Sequence, residues 1–446
     1  MFKRVLIANR GEIALRIMRA CQELGIETVC VYSEADRDAP YLRLADRAIC
    51  IGPAPARESY LNISRIVSAA ELADVDAIHP GYGFLAERAE FSEICRECKI
   101  EFIGPSPEAM KRLGDKVEAK KFARAAKVPT FPGSEGAIEN EEEAVEVASE
   151  IGYPVIIKAA AGGGGRGMRV CHNEATLRAN IKKAQQEAMA AFGNGSVFIE
   201  KFLESARHIE VQVLGDKHGN AIHLWERDCS MQRRHQKIIE EAPGPGIDRK
   251  KIERVCDSAA RLVKSAEYSG AATVEFLMDA RQNFYMLEVN TRVQVEHPVT
   301  ECITGVDIVK TTILVAAGEE LPFRQRDISI RGHAIECRIN AEDPDKGFMP
   351  SAGVITTWQA PGGPGVRLDS HVVSGYRVPP NYDSMVGKLI CHADDRPQCI
   401  ERTARALREF TVGPIRTTIP LHSRLMEQSE FRTGNVDIHF LERLLK

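Results

Sequence analysis

The stretches of sequence that decide the fold are Thr-Val-Glu-Phe at residues 273–276 and Leu-Glu-Val-Asn-Thr-Arg at residues 287–292. Both are rich in β-branched, aromatic and aliphatic residues, which favours two neighbouring strands. If residues 279–282 form the hairpin loop between them, Met278 opposes Asn283 across the pair. The two stretches therefore predict an antiparallel hairpin whose side chains alternate between two faces.

Acidic and amide side chains share one face of this hairpin. Alternation places Glu288, Asn290 and, if the chain stays extended, Arg292 on that face. Glu275 opposes Met286 in the same register and lies diagonally from Glu288. Apolar neighbours indicate burial, where two carboxylates repel unless a cation lies between them, and oxygen ligands favour Mg²⁺ over zinc. The alternative, a surface carboxylate pair with salt-bridge partners, is disfavoured by those neighbours.

The hairpin runs directly into Val-Gln-Val-Glu-His-Pro-Val-Thr-Glu at residues 293–301. Arg292, Gln294 and Glu296 fall within five positions of one another. An arginine fork together with backbone N–H groups can hold a small planar anion, and Glu296 is placed to take its proton. Taken alone the segment is equally typical of a loop with local ion pairs, so the anion site depends on the preceding metal hairpin.

A glycine-rich run, Ala161 to Gly167, follows Lys158 at the end of an apolar stretch. Glycines without a Cβ let backbone N–H groups close over phosphate oxygens, and the lysine supplies charge. The run is neither a Walker loop, because no Gly-Lys-Ser/Thr follows, nor a dinucleotide fingerprint. By itself it is also compatible with a flexible turn.

Residues 226–237 form a dense segment with five basic or histidine positions. Such a run either binds phosphates or forms a solvated face, and the second is usual. The run has no interleaved aromatic residues, and the formal net charge of -4 lacks the basic excess of a dedicated nucleic-acid binder. We therefore expect no nucleic-acid partner.

Strands and helices alternate in the first hundred residues, which favours a parallel, doubly wound sheet. The predicted elements are a strand at Arg4–Ala8, a helix at Ile13–Leu24 ended by Gly25, and strands at Glu27–Tyr32, Ala77–His79 and Glu101–Gly104.

A second region begins at Gly114 and a third after the segment 316–331, so three domains are predicted, at residues 1–113, 114–330 and 331–446. The predicted strands of the second region are Pro154–Ala159, Val197–Lys201, His208–Leu214, Ala221–Glu226, Ala272–Met278 and Phe284–Val289, followed by His333–Ile339 in the third. Helices are predicted from residue 116 to about Ala126 and from the acidic run 139–146.

The 12 cysteines lie among apolar neighbours, as reduced cytosolic thiols do. Cys95 and Cys98 have zinc or redox spacing, but no second CxxC pair follows and they share a predicted helix face, which favours a structural role. No apolar run approaches the length of a membrane helix, and the N-terminus lacks signal-peptide features. We expect a cytoplasmic protein without a membrane partner.

Six motifs in this order resemble the biotin carboxylase family of the ATP-grasp superfamily. They are Ile-Ala-Asn-Arg-Gly-Glu-Ile-Ala at 7–14, His-Pro-Gly-Tyr-Gly-Phe-Leu at 79–85, the glycine run, residues 227–237, residues 288–301, and Gly-His-Ala-Ile-Glu-Cys-Arg-Ile-Asn-Ala-Glu-Asp-Pro at 332–344. The resemblance spans nearly the whole chain. It implies an α/β and α+β fold with an N-terminal Rossmann-like (pre-ATP-grasp) domain, a central ATP-grasp domain with a mobile lid at about 131–203, and a C-terminal biotin carboxylase domain.

The resemblance also implies which substrate or ion each site residue binds. The expected ATP-binding residues are Lys116, Lys158, Gly164, Gly165, Glu200, Lys201, Phe202, Leu203, His208, Gln232, His235, Glu275, Glu288 and Ile438. Glu275, Glu288 and Asn290 would hold Mg²⁺ or Mn²⁺, about two ions per site. Bicarbonate would be held by Lys237, Arg292, Gln294 and Val295, with Glu296 as the base. Tyr82, His235 and Arg338 would contact biotin, Arg338 steadying its enolate, so the expected catalytic residues are Arg292, Glu296, Lys237 and Arg338.

The implied reaction is carboxylation of biotin on a biotin carboxyl carrier protein, with ATP and bicarbonate as substrates, through carboxyphosphate. It would be the first half-reaction of an acetyl-CoA carboxylase that feeds fatty acid synthesis, with carboxyltransferase subunits as further partners and a homodimer as the expected state. The alternative is the biotin carboxylase subunit of a two-subunit pyruvate or other acyl-CoA carboxylase, since the chemistry is identical.

Two departures from the family pattern, Ala161 in place of a further glycine and Arg88 in place of a polar residue, touch no ligand position. Ala-Met-Lys at 109–111 resembles the tripeptide around a biotinylated lysine, but it lies in a predicted helix at 108–113 and not on a hairpin, so the biotin must come from another polypeptide. A nicotinamide-dependent oxidoreductase is disfavoured because residues 9–14 lack the Gly-x-Gly spacing.

Overall fold

The described chain divides into two units, residues 1–128, 207–278 and 287–446 in the first and residues 129–206 and 279–286 in the second. The computed structural model describes residues 1–134, 136–138, 140–159, 168–192 and 194–446, and gives residues 116, 117, 191 and 192 by their backbone alone. Among these described residues, none of the helices is long and apolar enough to cross a bilayer.

The N-terminal part of the first unit is the parallel sheet that the alternation of elements predicts. Its strands, in the spatial order β3-β2-β1-β4-β5, are β1 (Arg4–Ile7), β2 (Glu27–Tyr32), β3 (Arg47–Cys50), β4 (Ala77–His79) and β5 (Glu101–Phe102). Every neighbouring pair is parallel. The core residues of β1 are fully buried, as expected for a strand covered on both faces. The fifth strand ends at Phe102, two residues earlier than predicted.

Five helices accompany this sheet: α1 (Gly11–Glu23), α2 (Ile63–Ala73), α3 (Ala89–Glu97), α4 (Pro107–Gly114) and α5 (Lys116–Ala125). The Ala-Met-Lys tripeptide lies within α4, whose N-cap Ser106 accepts a hydrogen bond from the backbone N–H of Ala109. The predicted helical setting of that tripeptide is therefore confirmed. Cys95 is buried on α3, and its burial raises the pKa of the thiol to about 12, which fits a structural role.

The second unit has a three-stranded antiparallel sheet in the order β7-β6-β8, made of β6 (Val155–Ala159), β7 (Arg169–Cys171) and β8 (Val197–Lys201). Helices α6 (Glu141–Ile151) and α7 (Glu174–Phe192) pack with it around an apolar core. Asn140 caps α6 through its side chain, and the acidic first turn suits the helix dipole, as the sequence indicates.

The remainder of the first unit is built on an eight-stranded sheet in the order β13-β12-β9-β10-β11-β14-β21-β19. Its strands are β9 (Arg207–Gly215), β10 (Ala221–Arg233), β11 (Gln236–Ala242), β12 (Gly270–Met278), β13 (Phe284–Asn290), β14 (His333–Asn340), β19 (Val366–Asp369) and β21 (Met385–Ala393), with the short strands β15 (Glu342–Asp343), β16 (Met349–Pro350), β17 (Gly353–Val354), β18 (Thr357–Gln359), β20 (Arg377–Val378) and β22 (Thr411–Gly413) outside it. The helices of this part are α8 (Arg249–Ser265), α9 (His297–Thr304), α10 (Ile308–Ala316), α11 (Arg396–Glu409), α12 (Ile419–Met426), α13 (Ser429–Thr433) and α14 (Phe440–Leu444).

The turn between β12 and β13 differs from its prediction by one residue. The backbone N–H of Asp279 donates to the carbonyl of Asn283 at 3.0 Å, and that of Gln282 donates to the carbonyl of Asp279 at 2.9 Å. Asn283 therefore opposes Asp279, and the expectation that it opposes Met278 is wrong. The cause is local, because the Asp279 carboxylate accepts hydrogen bonds from backbone N–H groups inside the turn and Gln282 takes a left-handed φ of 59°.

Candidate active site

Three carboxylates from different elements converge on the ammonium group of Lys237 on β11. Its Nζ donates to Glu210 Oε2 on β9 at 2.6 Å, to Glu275 Oε1 on β12 at 3.2 Å, and to Glu296 Oε1 before α9 at 2.5 Å. Glu210 and Glu275 are cross-strand partners in the register, so their side chains leave the same face of the sheet. Gln232 is the cross-strand partner of Lys237 and lies on that face as well.

Glu296 is fully buried and held as a carboxylate. Burial alone would raise its pKa, but Lys237, Arg338 and Arg227 outweigh burial and hold the pKa well below its usual range. The same logic applies to Glu275, whose pKa is lowered against burial by Lys237 and His208. The site therefore presents ionised carboxylates beside cations, and Glu296 is able to accept a proton.

Arg227 on β10 is the fully buried anchor of this arrangement. Its Nε donates to Glu210 Oε1 at 2.5 Å, and its Nη atoms donate to Gln212 at 2.7 Å, Thr300 at 3.0 Å and Thr273 at 3.2 Å. One guanidinium thus links β9, β10, β12 and α9. Residue 227 lies in the basic segment for which a solvated face was one interpretation, and at this position that interpretation is wrong.

Arg292 and its neighbours form a second group of polar contacts. Arg292 donates to Gln294 Oε1 at 2.9 Å and Asn290 Oδ1 at 3.1 Å, and its Nε lies 3.0 Å from Glu87 Oε2. The Asn290 amide donates in turn to Glu275 Oε1 at 2.9 Å. Asn290 is therefore in contact with Glu275, as the hairpin predicted. The strand β13 ends at Asn290, so the extended chain on which the placement of Arg292 depended is not present, although Arg292 still contacts Asn290. The carbonyl of Val295 accepts a hydrogen bond at 2.8 Å from the buried ammonium group of a lysine on β21.

The oxygen atoms of this face fit a hard divalent cation. Glu275 and Asn290 are in contact, and Glu288 lies two residues before Asn290 on β13, where alternation gives both the same face. Ligand atoms of His208, Glu210 and Glu275 lie within 4.8 Å of one another. Glu275 and Asn290 are buried, whereas Glu288 is exposed, so the expectation that apolar neighbours bury both carboxylates is wrong for Glu288. Carboxylate and amide oxygens of this kind suit Mg²⁺.

The three residues predicted to contact biotin lie in two parts of the first unit. Arg338 on β14 donates from Nε to Glu240 Oε1 at 2.6 Å and from Nη2 to Glu296 Oε2 at 3.0 Å. The Tyr82 hydroxyl donates to Glu12, and the side chain lies within electrostatic reach of Arg338. His235 is exposed in the two-residue turn between β10 and β11.

Several predicted ATP residues lie in the second unit. Lys158 on β6 makes an ion pair of 2.5 Å with the buried Glu200 on β8, and its Nζ is 5.8 Å from the ring centroid of Phe131. Lys201 donates to the carbonyls of residues 152 and 153, both at 2.9 Å, and the backbone N–H of Phe202 donates to the carbonyl of residue 154. Leu203 is half-buried, as is Ile438 in the first unit. Gly164 and Gly165 lie outside the described residues, and so does the side chain of Lys116.

Five residues of the site had no predicted role. They are Glu210, Arg227, Glu240, Glu336 and Lys388. A signal existed for Glu210, because polar residues at 208, 210 and 212 alternate with Ile209, Val211 and Val213 along one predicted strand.

Family models match consecutive parts of the chain: a biotin carboxylase N-terminal domain at residues 1–110, an ATP-binding domain of the carbamoyl-phosphate synthase L chain at 115–324, and a biotin carboxylase C-terminal domain at 336–443. Together with the buried carboxylate site, the central match defines an ATP-dependent ligase with an ATP-grasp domain between two further domains.

Similar proteins extend over the full length. A biotin carboxylase of Allochromatium vinosum is 57% identical over 446 residues, covering 100% of this chain and 99% of that protein. The chain belongs to the biotin carboxylase family. A Campylobacter jejuni biotin carboxylase, solved as a β-γ-ATP complex, is 52% identical, with a TM-score of 0.92 and 99% of each chain covered. The biotin carboxylase domain of the 2-oxoglutarate carboxylase of Hydrogenobacter thermophilus, solved as a dimer with MgADP, ADP and bicarbonate, is 49% identical, with a TM-score of 0.90 over 99% of this chain and 98% of that one.

Proposed function

We propose that the chain carboxylates biotin carried by a separate biotin carboxyl carrier protein, with ATP and bicarbonate consumed and ADP and phosphate released. The observation that supports it most is a fully buried carboxylate, Glu296, held between the cations Lys237 and Arg338 beside the arginine fork of residue 292. A base between two anion-binding cations suits a reaction in which an acidic oxyanion must be both held and deprotonated.

Bicarbonate would bind to Lys237, Arg292, Gln294 and the backbone of Val295. Arg292 donates from two nitrogen atoms to neutral side-chain oxygens, which an anion can replace as acceptor. An anion at Lys237 also competes with Glu296 for the ammonium group. The pKa of Glu296 then rises from its lowered value, and Glu296 becomes a stronger base at the moment when its substrate arrives.

Deprotonated bicarbonate would attack the γ-phosphorus of ATP through one oxygen, the bond to the β–γ bridging oxygen would break, and ADP would leave with carboxyphosphate formed. Glu275, Glu288 and Asn290 would hold Mg²⁺, which neutralises phosphate charge when bound. We also propose that Mn²⁺ can serve and that about two ions bind. The MgADP and bicarbonate bound to the Hydrogenobacter relative support Mg²⁺, an adenine nucleotide and bicarbonate as ligands.

ATP would be held by the residues that the resemblance to the family identifies. The proposed set is Lys116, Lys158, Gly164, Gly165, Glu200, Lys201, Phe202, Leu203, His208, Gln232, His235, Glu275, Glu288 and Ile438. Lys158 and Glu200 form a partly buried ion pair on neighbouring strands, which an entering phosphate can reorganise by giving Lys158 a second anionic partner. Residues 131–203 would form the lid that excludes water from carboxyphosphate.

In the second step carboxyphosphate would split into CO₂ and phosphate, and the phosphate would take the N–H proton of the biotin ureido group. The resulting enolate would attack CO₂ to give carboxybiotin. Arg338 would stabilise the enolate oxygen, with Tyr82 and His235 beside the biotin. Arg338 is suited to this role because two carboxylates fix its guanidinium while its side chain stays partly exposed.

We further propose domains at residues 1–113, 114–330 and 331–446, a homodimer, a cytoplasmic location and carboxyltransferase subunits as partners. The dimer of the Hydrogenobacter relative supports the homodimer. Acetyl-CoA carboxylation, which supplies fatty acid synthesis, is the downstream reaction that we propose. The biotin carboxylase subunit of a two-subunit pyruvate or other acyl-CoA carboxylase is the alternative, supported by similarity to the biotin carboxylase subunit of a pyruvate carboxylase, which is 49% identical with a TM-score of 0.90.

ADP release tests the proposal directly. Wild-type protein is expected to release ADP from MgATP in a reaction stimulated by bicarbonate and further by free biotin. Glu288→Lys places a cation where the metal is proposed to bind, so turnover is expected to fall by at least 100-fold. Glu320→Lys makes the same charge change at an exposed position and is the matched control. Wild-type ADP release that does not increase when bicarbonate is added contradicts the proposal. A Glu288→Lys enzyme that is as active as the Glu320→Lys control contradicts it as well.

A further inference from the structure

Two glutamates face each other behind Arg338. Glu240 on β11 and Glu336 on β14 are directly opposite in the antiparallel register, so their side chains project from the same face of the sheet. Both are fully buried. Helix α9 packs against this part of the sheet, with Val299 and Ile303 in the apolar cluster that the strands β11, β14 and β21 share with the helix. Apolar side chains of α9 therefore lie on the face of the sheet from which both glutamates project.

Only one of the four carboxylate oxygens of this pair has a hydrogen-bond partner within the part of the chain that the structure describes. Glu240 Oε1 accepts from Arg338, at 2.6 Å from Nε, whereas Glu240 Oε2 and both oxygens of Glu336 have no partner there. The nearby ammonium group of Lys388 is engaged elsewhere, by a backbone carbonyl at 2.8 Å and by Glu12 at 3.1 Å. A buried carboxylate without a partner is costly, so the neutral form of Glu336 is favoured.

Electrostatics supports the same assignment. Burial raises the pKa of Glu240 to about 7, although the adjacent Arg338 opposes that rise. Burial also raises the pKa of Glu336 well above its usual range, against Lys388 and with a further rise caused by Glu240. The titratable and charged groups around the pair are Lys237 on β11, Arg338 and Cys337 on β14, Lys388 on β21, Cys229 on β10, and Glu296 and Cys302 at and on α9.

We propose that Glu336 is a neutral carboxylic acid in the working enzyme, that it donates a hydrogen bond to the Glu240 carboxylate, and that the pair positions Arg338 for the biotin half of the reaction. This inference rests on the proposed role of Arg338. Glu240 and Glu336 are positioning residues, because they act on biotin through the guanidinium. When Glu240 also takes a proton, its ion pair with Arg338 is lost and only Glu296 still holds the guanidinium.

The acid limb of the pH profile for biotin-stimulated ADP release distinguishes a neutral from an ionised Glu336. The wild-type midpoint is expected close to the Glu240 pKa of about 7. Glu336→Leu removes the donor to the Glu240 carboxylate, so the midpoint is expected to rise by about one pH unit. Glu336→Gln keeps an N–H donor and is expected to return the midpoint most of the way. If Glu336 were ionised, both substitutions would remove a like charge and lower the midpoint, and that sign overturns the proposal, as does no shift in either variant.

Infrared spectroscopy gives a second readout that needs no turnover. At pH 8 the wild-type protein is expected to show the C=O stretching band of a buried protonated carboxylic acid, and Glu336→Gln is expected to lack it. Absence of that band in the wild type overturns the proposal even if Glu336→Leu fails to fold. The exposed Glu427→Gln is the control, with band and pH profile unchanged. If the wild type released no ADP in response to bicarbonate and biotin, the proposed function would fail, whereas the band would still decide the state of Glu336.

Discussion

Replacing Lys237 by methionine removes the only ammonium group that the structure places among Glu210, Glu275 and Glu296 in the described part of the chain. The three N–O distances are 2.6, 3.2 and 2.5 Å, and the lysine side chain is 12% exposed, so the ion pairs are poorly screened. Removing one partner of a buried ion pair costs about 3–5 kcal/mol, because an unpaired charge stays behind. We expect Lys237→Met to lower the free energy of unfolding by about 4 kcal/mol and the melting temperature by on the order of 5–10 °C.

Calorimetry without nucleotide measures this effect, and two comparisons make it specific. Lys346→Met, at an exposed position, is expected to change the free energy of unfolding by less than about 0.5 kcal/mol. Added Mg²⁺ is expected to raise the melting temperature of Lys237→Met more than that of the wild type, because a divalent cation replaces the missing charge among the carboxylates. Melting of Lys237→Met within the range of the Lys346→Met control, with no larger response to Mg²⁺, would refute the reasoning.

Two further predictions concern the first unit. Burial tends to raise the pKa of Glu241, but hydrogen bonds and charge from His333 and Arg396 lower it to about 2 from 4.5. That depressed pKa stabilises the fold by roughly 3 kcal/mol above pH 4.5, lost as the pH falls toward 2. Arg396→Met is expected to move the acid-unfolding midpoint to higher pH, and an unmoved midpoint contradicts this. Gly332 has a φ of 67° and a Cβ there would lie 2.1 Å from a backbone carbonyl, so Gly332→Ala is expected to cost roughly 3 kcal/mol in urea unfolding, against about 1 for Gly318→Ala, which has a φ of 96° in open space. Equal losses of stability in the two variants would show that the positive φ, and not the contact with the backbone carbonyl, determines the cost, and would contradict the prediction.

The parts of the fold that the sequence predicted well depend on local patterns. The parallel sheet of the first unit follows from short apolar runs separated by helical spacing. Three of its five strands lie within one residue of the prediction, β5 is two residues shorter than predicted, and the largely exposed β3 was not predicted. The contact between Asn290 and Glu275 is observed, although the register from which it was predicted is wrong by one residue at Asn283. A shift of one residue exchanges the faces of a strand, so period-two alternation from the predicted turn does not by itself account for this contact.

The site residues that could not be predicted from the sequence are those whose positions depend on the pairing register between strands. Arg227 reaches Glu210 across β9 and β10, yet their pairing is shifted by an irregularity between His223 and Glu226. A shift of one residue exchanges the two faces of a strand, so the burial of Arg227 cannot be inferred from spacing alone. The predicted strand also ended at Glu226, whereas β10 continues to Arg233. Continuous pairing with β11 overrides the low strand propensity of this charged segment.

The charges of the site also explain how one set of side chains can serve two chemical steps. Glu296 contacts Lys237 through one oxygen and Arg338 through the other, so the base of the proposed first step and the enolate-binding group of the second are joined by a single carboxylate. An anion that draws Lys237 away makes Glu296 more basic, and protonation of Glu296 then weakens its hold on Arg338. The guanidinium would be released toward biotin only after bicarbonate has given up its proton. Until then the ion pair with Glu240 would hold the Arg338 guanidinium in place. The order of the two proposed steps therefore follows from the exchange of ion-pair partners.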